Sequence, residues 1–144
     1  MESWELAARE QIRDLIARYA LCADGGRFRD LVLLFTEEGE LEVPGRPPLR
    51  GRLAIEAFLE SVRAANAERR GGPMRHHVSS LLIEVEDPDH ASARACFSVL
   101  GPSGLDHWGR YRDRFVQVGE RWLFASRKVA VDGRSACPES AAAS

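Results

Sequence analysis

Two periods divide the chain. Up to about residue 67 apolar positions recur at helical spacing; from Met74 onward they alternate. In the stretch from Ile12 to Asp24, Ile12, Leu15, Ile16, Tyr19, Ala20 and Ala23 fall on one helical stripe, which predicts a helix packed on a core. Ser3 is the expected N-cap, Glu5 suits the first turn, and Gly25-Gly26 is the expected stop after about Ala23. A shorter helical piece is predicted over 27–35, with Phe28, Leu31, Val32 and Phe35 on one side. Glu37-Glu38-Gly39 reads as a turn, Glu40–Val43 as a short strand, and Pro44–Pro48 as its end. Gly51 opens a third helix over 53–67, carrying Ile55, Phe58, Leu59 and Val62, and residues 69–73 form a loop.

The alternating half predicts four strands, over 74–86, 90–100, 105–118 and 121–131. Asp87-Pro88-Asp89, Gly101-Pro102-Ser103-Gly104 and Gly119-Glu120 are the breaks, short enough to make the strands antiparallel neighbours. Helices followed by a long-stranded antiparallel sheet define an α+β class. A curved sheet over the helices would enclose a cavity. One domain is expected over 1–133, with a flexible tail over 134–144.

Strand parity then proposes which side chains face inward. If Leu81, Ile83 and Val85 point to the core, unbroken alternation puts His77 and Ser79 beside them and turns His76 outward. Arg110, Arg112 and Arg114 mark the solvent face of the next-to-last strand, so His107, Tyr111, Asp113 and Phe115 face in. In the last strand Arg127 shares a face with Leu123, Ala125, Val129 and Val131; Trp122 and Phe124 take the other, a second cover that a dimer partner could supply. The inward set is thus Tyr19, Asp24, His77, Tyr111 and Arg127, with His107 and Asp113 at its margin. Each has an ordinary structural reading, Arg127 as the ion-pair partner of Asp24 or Asp113 among them. Their convergence on one apolar space is what points to acid–base chemistry.

Composition narrows the class by exclusion. A net charge of −2 gives no case for nucleic acid, and no apolar run approaches membrane-spanning length. Cys22, Cys96 and Cys137 are scattered, and with no signal-like N-terminus the expected address is the reducing cytoplasm. The adjacent His76-His77 would point to opposite faces of a strand and cannot chelate one ion, so no metal site is expected. No phosphate-cradling glycine motif is present, and no cofactor is expected.

The stretches YALCADGGRFRDLVLLFTEEGELEV, GRLAIEAFL, RHHVSSLLIEV and GRYRDRFVQVGERWLFASRKV resemble the SnoaL-like branch of the NTF2-like superfamily. That branch includes polyketide cyclases, scytalone dehydratase and bile-acid 7α-dehydratase. The resemblance runs from about residue 12 to 132 and implies a conical barrel, a strongly curved sheet around three helices. It implies a catalytic set of Tyr19 and Asp24 on the first helix, with the Tyr-x4-Asp-Gly spacing kept, His77 on the strand after the third helix, and Tyr111 on a later strand. The C-terminal Arg of the bile-acid enzyme would fall near Val131, and Arg127 is its nearest substitute. The expected activity is a cofactor-independent dehydratase, isomerase or cyclase acting on a small hydrophobic ring or polyketide-like molecule. His77 would be the base, oriented by Asp24, with Tyr19 and Tyr111 as hydrogen-bond donors. Phe28, Phe35, Phe58, Leu81, His107, Phe115 and Arg127 would contact the substrate. A homodimer or higher homo-oligomer is expected from relatives. A non-catalytic small-molecule-binding module and the small subunit of a ring-hydroxylating dioxygenase are the alternatives.

Overall fold

A computed structural model describes residues 1–68 and 71–136. The element order is α1 (Ser3–Gly25), α2 (Phe28–Val32), β1 (Phe35–Glu42), β2 (Leu49–Arg50), α3 (Arg52–Asn66), β3 (Arg75–Asp87), β4 (His90–Gly101), β5 (Gly104–Val118) and β6 (Arg121–Arg134). All six strands form one sheet in the order β2-β1-β6-β5-β4-β3. The helices pack on one face of it: Ile12, Leu15, Ile16 and Tyr19 of α1, with Ile55 of α3, share a core with Phe35, Phe115 and Phe124 of the sheet. This is the conical α+β architecture. Arg69 and Arg70 of the expected loop, and residues 137–144 of the expected tail, lie outside the described residues.

The helix ends follow backbone chemistry. Ser3 does not cap α1. It is already helical; the extended Glu2 precedes it, and the Glu2 carbonyl accepts the Glu5 and Leu6 amides at 3.1 and 3.2 Å. At the other end Gly26 takes φ 66°, and the Gly26 and Arg27 amides donate to the carbonyls of Ala23 and Cys22. The helical piece expected over 27–35 is shorter, because Phe35 already belongs to β1. The turn expected at Glu37–Gly39 is instead a wide irregularity inside β1: Phe35 pairs with Phe124 and Glu40 with Ser126, five positions set against two. β1 runs parallel to β6, whereas the other pairings are antiparallel.

Two further bulges overturn two parity expectations. In β3, Ser79 pairs with Cys96 but Leu82 pairs with Arg94, so β3 carries one extra residue there. Ser80 sits at φ 49°, the only non-glycine residue at positive φ among the described residues. One inserted residue exchanges the faces on either side of it. His76 and Val78 therefore share the inner face with Ile83, and His77 is exposed. In β6, Arg114 pairs with Ser126 but Phe115 pairs with Phe124, leaving Ala125 as the extra residue. Phe124 and Trp122 consequently join the same core as Phe115, on the face that Arg127 also uses. They do not form an outer apolar face, so their second cover is the protein's own core.

Candidate active site

Asp24, at the end of α1, faces the start of β3. Its Oδ1 lies 2.6 Å from His76 Nδ1 and accepts the His76 backbone amide at 3.0 Å. An ionised carboxylate only accepts, so the ring proton belongs on Nδ1 and the lone pair is left on Nε2. The Asp24 side chain is 8% exposed and that of His76 is 21% exposed, so the acid is sheltered while the imidazole stays reachable. The contact expected between Asp24 and His77 is not made; Asp24 meets His76 instead, because the β3 bulge turns His77 outward.

The phenols lie deeper. Tyr19 and Tyr111 are buried and meet edge-on, with ring centroids 6.4 Å apart. Burial raises both phenol pKa values above the ordinary one, against the opposing pull of the Arg127 charge; Tyr111 also senses the negative charge of Asp24. Both are therefore neutral donors at ordinary pH. Arg127 chooses Asp113 of its two possible partners. Nε and Nη2 donate to the two Asp113 oxygens at 2.8 and 2.7 Å, and both side chains are fully buried. The guanidinium carbon sits 3.7 Å from the Tyr111 ring centroid, 4.3 Å from that of Tyr19 and 4.7 Å from that of Phe124. Burial alone would lower the Arg127 pKa; the charge and hydrogen bonds of Asp113 outweigh it, so the pKa is raised.

Sheet register locates these groups relative to one another. One inner row is His76–Val99–His107, the next is Val78–Phe97–Gly109, the third holds Ala95 and Tyr111, and the fourth holds Ala93, Asp113 and Arg127. The His76 and Tyr111 rows are four residues apart on β4, about 13 Å along an extended strand. Between them the floor is Val78, Phe97 and Gly109. A Cβ on Gly109 would stand 1.9 Å from the Ala130 carbonyl oxygen, so only glycine lets β5 and β6 approach here. Phe97 stacks on Tyr111 with centroids 4.5 Å apart and meets the His107 ring edge-on at 5.8 Å. His107 Nδ1 lies 2.7 Å from Asp106, at the outer end of the His76 row.

The expected substrate contacts divide accordingly. Leu81 is half-buried beside Met74, Phe97, Val99 and Tyr111. Phe28, Phe35 and Phe115 are buried in the main core, and Phe35 and Phe115 pack against Phe124 at 5.1 Å. Phe58 is half-buried under Arg46, whose guanidinium carbon lies 4.7 Å from its ring. Phe97, Val78 and Met74 were not among the expected contacts. The alternation Ala91, Ala93, Ala95, Phe97, Val99 carried the signal for Phe97. Two surface depressions, of about 540 and 490 Å³, lie elsewhere: one beside Arg18 and Arg121, the other over Arg94 and Arg112 on the outer sheet face. Among the described residues no three His, Cys, Asp or Glu side chains gather as a metal-ligand set. No helix among them is long and apolar enough to cross a membrane.

The fold is an α+β cone, with an Asp24–His76 contact at the end of its first helix. The SnoaL-like domain family matches residues 4–128, and the chain belongs to it. No curated protein matches the chain. Among solved structures, an NTF2-like protein with a cystatin-like fold from Novosphingobium aromaticivorans is 33% identical, with a TM-score of 0.78 over 91% of this chain and 86% of that one. A candidate scytalone dehydratase from the same organism is 20% identical, with a TM-score of 0.79 over 94% and 91% of the two chains. The beta subunit of a candidate aromatic-ring-hydroxylating dioxygenase, also from N. aromaticivorans, is 23% identical, with a TM-score of 0.72 over 92% and 94%. The last two likenesses speak for the fold alone.

Proposed function

We propose that the chain is a cofactor-independent acid–base enzyme of the dehydratase, isomerase or cyclase type, acting on a small hydrophobic carbonyl compound. The observation that carries this reading is the 2.6 Å Asp24–His76 contact. Asp24 holds the imidazole in the Nδ1–H tautomer, so Nε2 can take a proton from carbon beside a carbonyl or enone. Asp24 also stabilises the imidazolium that results. Tyr111, on the far side of the Val78–Phe97 floor, donates to the oxygen where charge develops; Tyr19 backs it. A leaving hydroxyl, where the substrate has one, then departs with the proton that His76 returns, so the pair ends each turnover as it began. The half-buried Val78 and Leu81, over the buried Phe97, suit the face of an apolar ring.

The experiment needs no knowledge of the natural substrate. Exchange of the α-protons of 2-tetralone into D₂O, followed by proton NMR, reads base catalysis directly. The wild-type protein is expected to accelerate exchange, and His76→Gln to lose about 10²-fold or more of that acceleration. His77→Gln, altered on the exposed side of the same strand, should exchange like wild type. Equal exchange by wild type and His76→Gln would remove the proposed base and leave the binding-module reading. Loss in His77→Gln alone would restore the unbroken-alternation assignment.

A further inference from the structure

The outer face of the sheet carries a row of like charges. Register sets Leu82, Arg94, Arg112, Lys128 and Glu42 side by side, on β3, β4, β5, β6 and β1. Three cations thus stand on adjacent strands, in a line roughly 10 Å long. The next outer row is Glu84, Ser92, Arg114, Ser126 and Glu40, which puts a fourth cation, Arg114, diagonal to them. Like charges directly opposite one another destabilise a sheet. Elsewhere such charges are matched: Arg110 pairs with Asp132 on the same face, and Arg50 pairs with Glu40 at the sheet edge. Among the described residues Arg94, Arg112 and Arg114 have no carboxylate partner and no side-chain hydrogen bond. Lys128 reaches Glu42 only at 3.8 Å, with both side chains exposed.

These four cations line the open depression of about 490 Å³. Its carboxylates are Glu42 and Glu84; that of Asp113 is held by Arg127 on the other side of the sheet. Four cations against two carboxylates leave an excess of two positive charges, in a chain whose net charge is −2.

The arrangement selects its occupant. A guanidinium fork takes phosphate oxygens two at a time. Three cations in a line match a chain of phosphates, whereas a single carboxylate reaches one or two of them. Ser92 and Ser126, on either side of Arg114, add hydroxyl donors. A nucleic-acid backbone needs a longer basic track than one that ends at Glu42 and Glu84. A second copy laid symmetrically on the row would set cations against cations.

We propose that this row is a binding site for a linear oligophosphate, a diphosphate or triphosphate group. Arg94, Arg112 and Lys128 hold the chain of phosphates and Arg114 closes on it from the next row. The site lies on the opposite face of the sheet from His76 and is independent of the acid–base pair.

Calorimetric titration of the full chain with inorganic triphosphate tests it. Wild type is expected to bind triphosphate about tenfold or more tighter than citrate or sulfate, and to melt at a higher temperature in its presence. The affinity should fall as salt is raised, because the row is open to solvent. Arg112→Gln should lose about tenfold or more in affinity. Arg121→Gln changes the net charge equally but sits in the β5–β6 hairpin outside the depression, and should bind like wild type. Both arginines are exposed, so both variants should fold. Adenosine triphosphate should bind at least as tightly as triphosphate, since the phosphate chain is what the row recognises. The proposal is overturned if triphosphate does not bind, if citrate or sulfate binds as well, if Arg112→Gln binds like wild type, or if Arg121→Gln loses as much. A dimer that dissociates in Arg112→Gln, with no anion bound by wild type, would give the face to a second copy and overturn it too. His76→Gln should bind triphosphate like wild type while losing exchange, so failure of the anion site and failure of the base give different results.

Discussion

Removing the Arg127 side chain alone should be among the most damaging single changes. Its fork to Asp113 is made of two bonds of 2.8 and 2.7 Å with both side chains at 0% exposure. In Arg127→Met the carboxylate stays buried with no counter-charge, a situation that costs about 3–5 kcal/mol. At about 2.1 cal/mol/K per residue, a chain of 144 residues unfolds with roughly 0.3 kcal/mol/K of entropy, so each kcal/mol moves Tm by about 3 °C. The single variant should therefore melt about 10–15 °C below wild type. Asp113→Leu, which strands the guanidinium, should fall comparably. The double variant Asp113→Leu/Arg127→Met leaves no charge behind and should lie within about 1–2 kcal/mol of wild type, or above it. Differential scanning calorimetry with urea unfolding of the four proteins completes a double-mutant cycle, with an expected coupling of about 4–9 kcal/mol, the two single losses less the double one. A coupling below about 0.5 kcal/mol, or a single-variant loss under 1 kcal/mol, would refute the claim that the pair is dry and mutually dependent.

Three further outcomes follow from the backbone and the phenols. Gly109→Ala should cost about 3 kcal/mol or more, or prevent folding, because its Cβ would stand 1.9 Å from the Ala130 carbonyl oxygen and 3.0 Å from Phe97; an unchanged urea midpoint would contradict that packing. Ser80→Val should lower stability by about 1–2 kcal/mol, while Ser80→Gly should hold or raise it, since Ser80 sits at φ 49°; equal effects would mean the bulge is elsewhere. Tyr19 and Tyr111 are the only tyrosines, and burial raises both their pKa values above that of the unfolded chain, near 10. The folded state thus holds those protons more tightly. The associated stability is complete below about pH 10 and is lost as pH rises beyond it. Tyrosinate absorbance at 295 nm should appear only together with loss of near-UV circular dichroism; a tyrosinate step in the native protein would show an exposed phenol.

The sequence carried the elements better than it carried their faces. The four long strands and the two larger helices were legible because apolar periodicity follows from burial, which is local to each element. The inner face of β5 was legible too, since its own alternation runs unbroken from His107 to Phe115. Parity failed at β3 and β6 for a single reason. Ser79-Ser80 and Ala125 look like ordinary strand residues, yet each region accommodates one residue more than its partner strand, and alternation cannot be carried across such a point. That placed His77 where His76 stands and sent Phe124 to the wrong side. Asp24 was legible from the Gly25-Gly26 stop, which fixes the end of α1. The choice of Asp113 over Asp24 for Arg127 was not, because it depends on the register of β5 on β6. The parallel β1–β6 pairing also escaped, being a contact between residues more than eighty positions apart.

That long-range pairing has a consequence for synthesis. β1 has two neighbours in the sheet, and apart from the two-residue β2 its only long edge belongs to β6, the last of the six described strands to leave the ribosome. Until then Phe35 has no strand to lie against, Leu41 has only Leu49 of the two-residue β2, and the hydrophobic side of α1 is only partly covered by β3. A nascent chain halted before residue 121 should therefore remain protease-sensitive from its first residues onward, maturing as a whole instead of from the front.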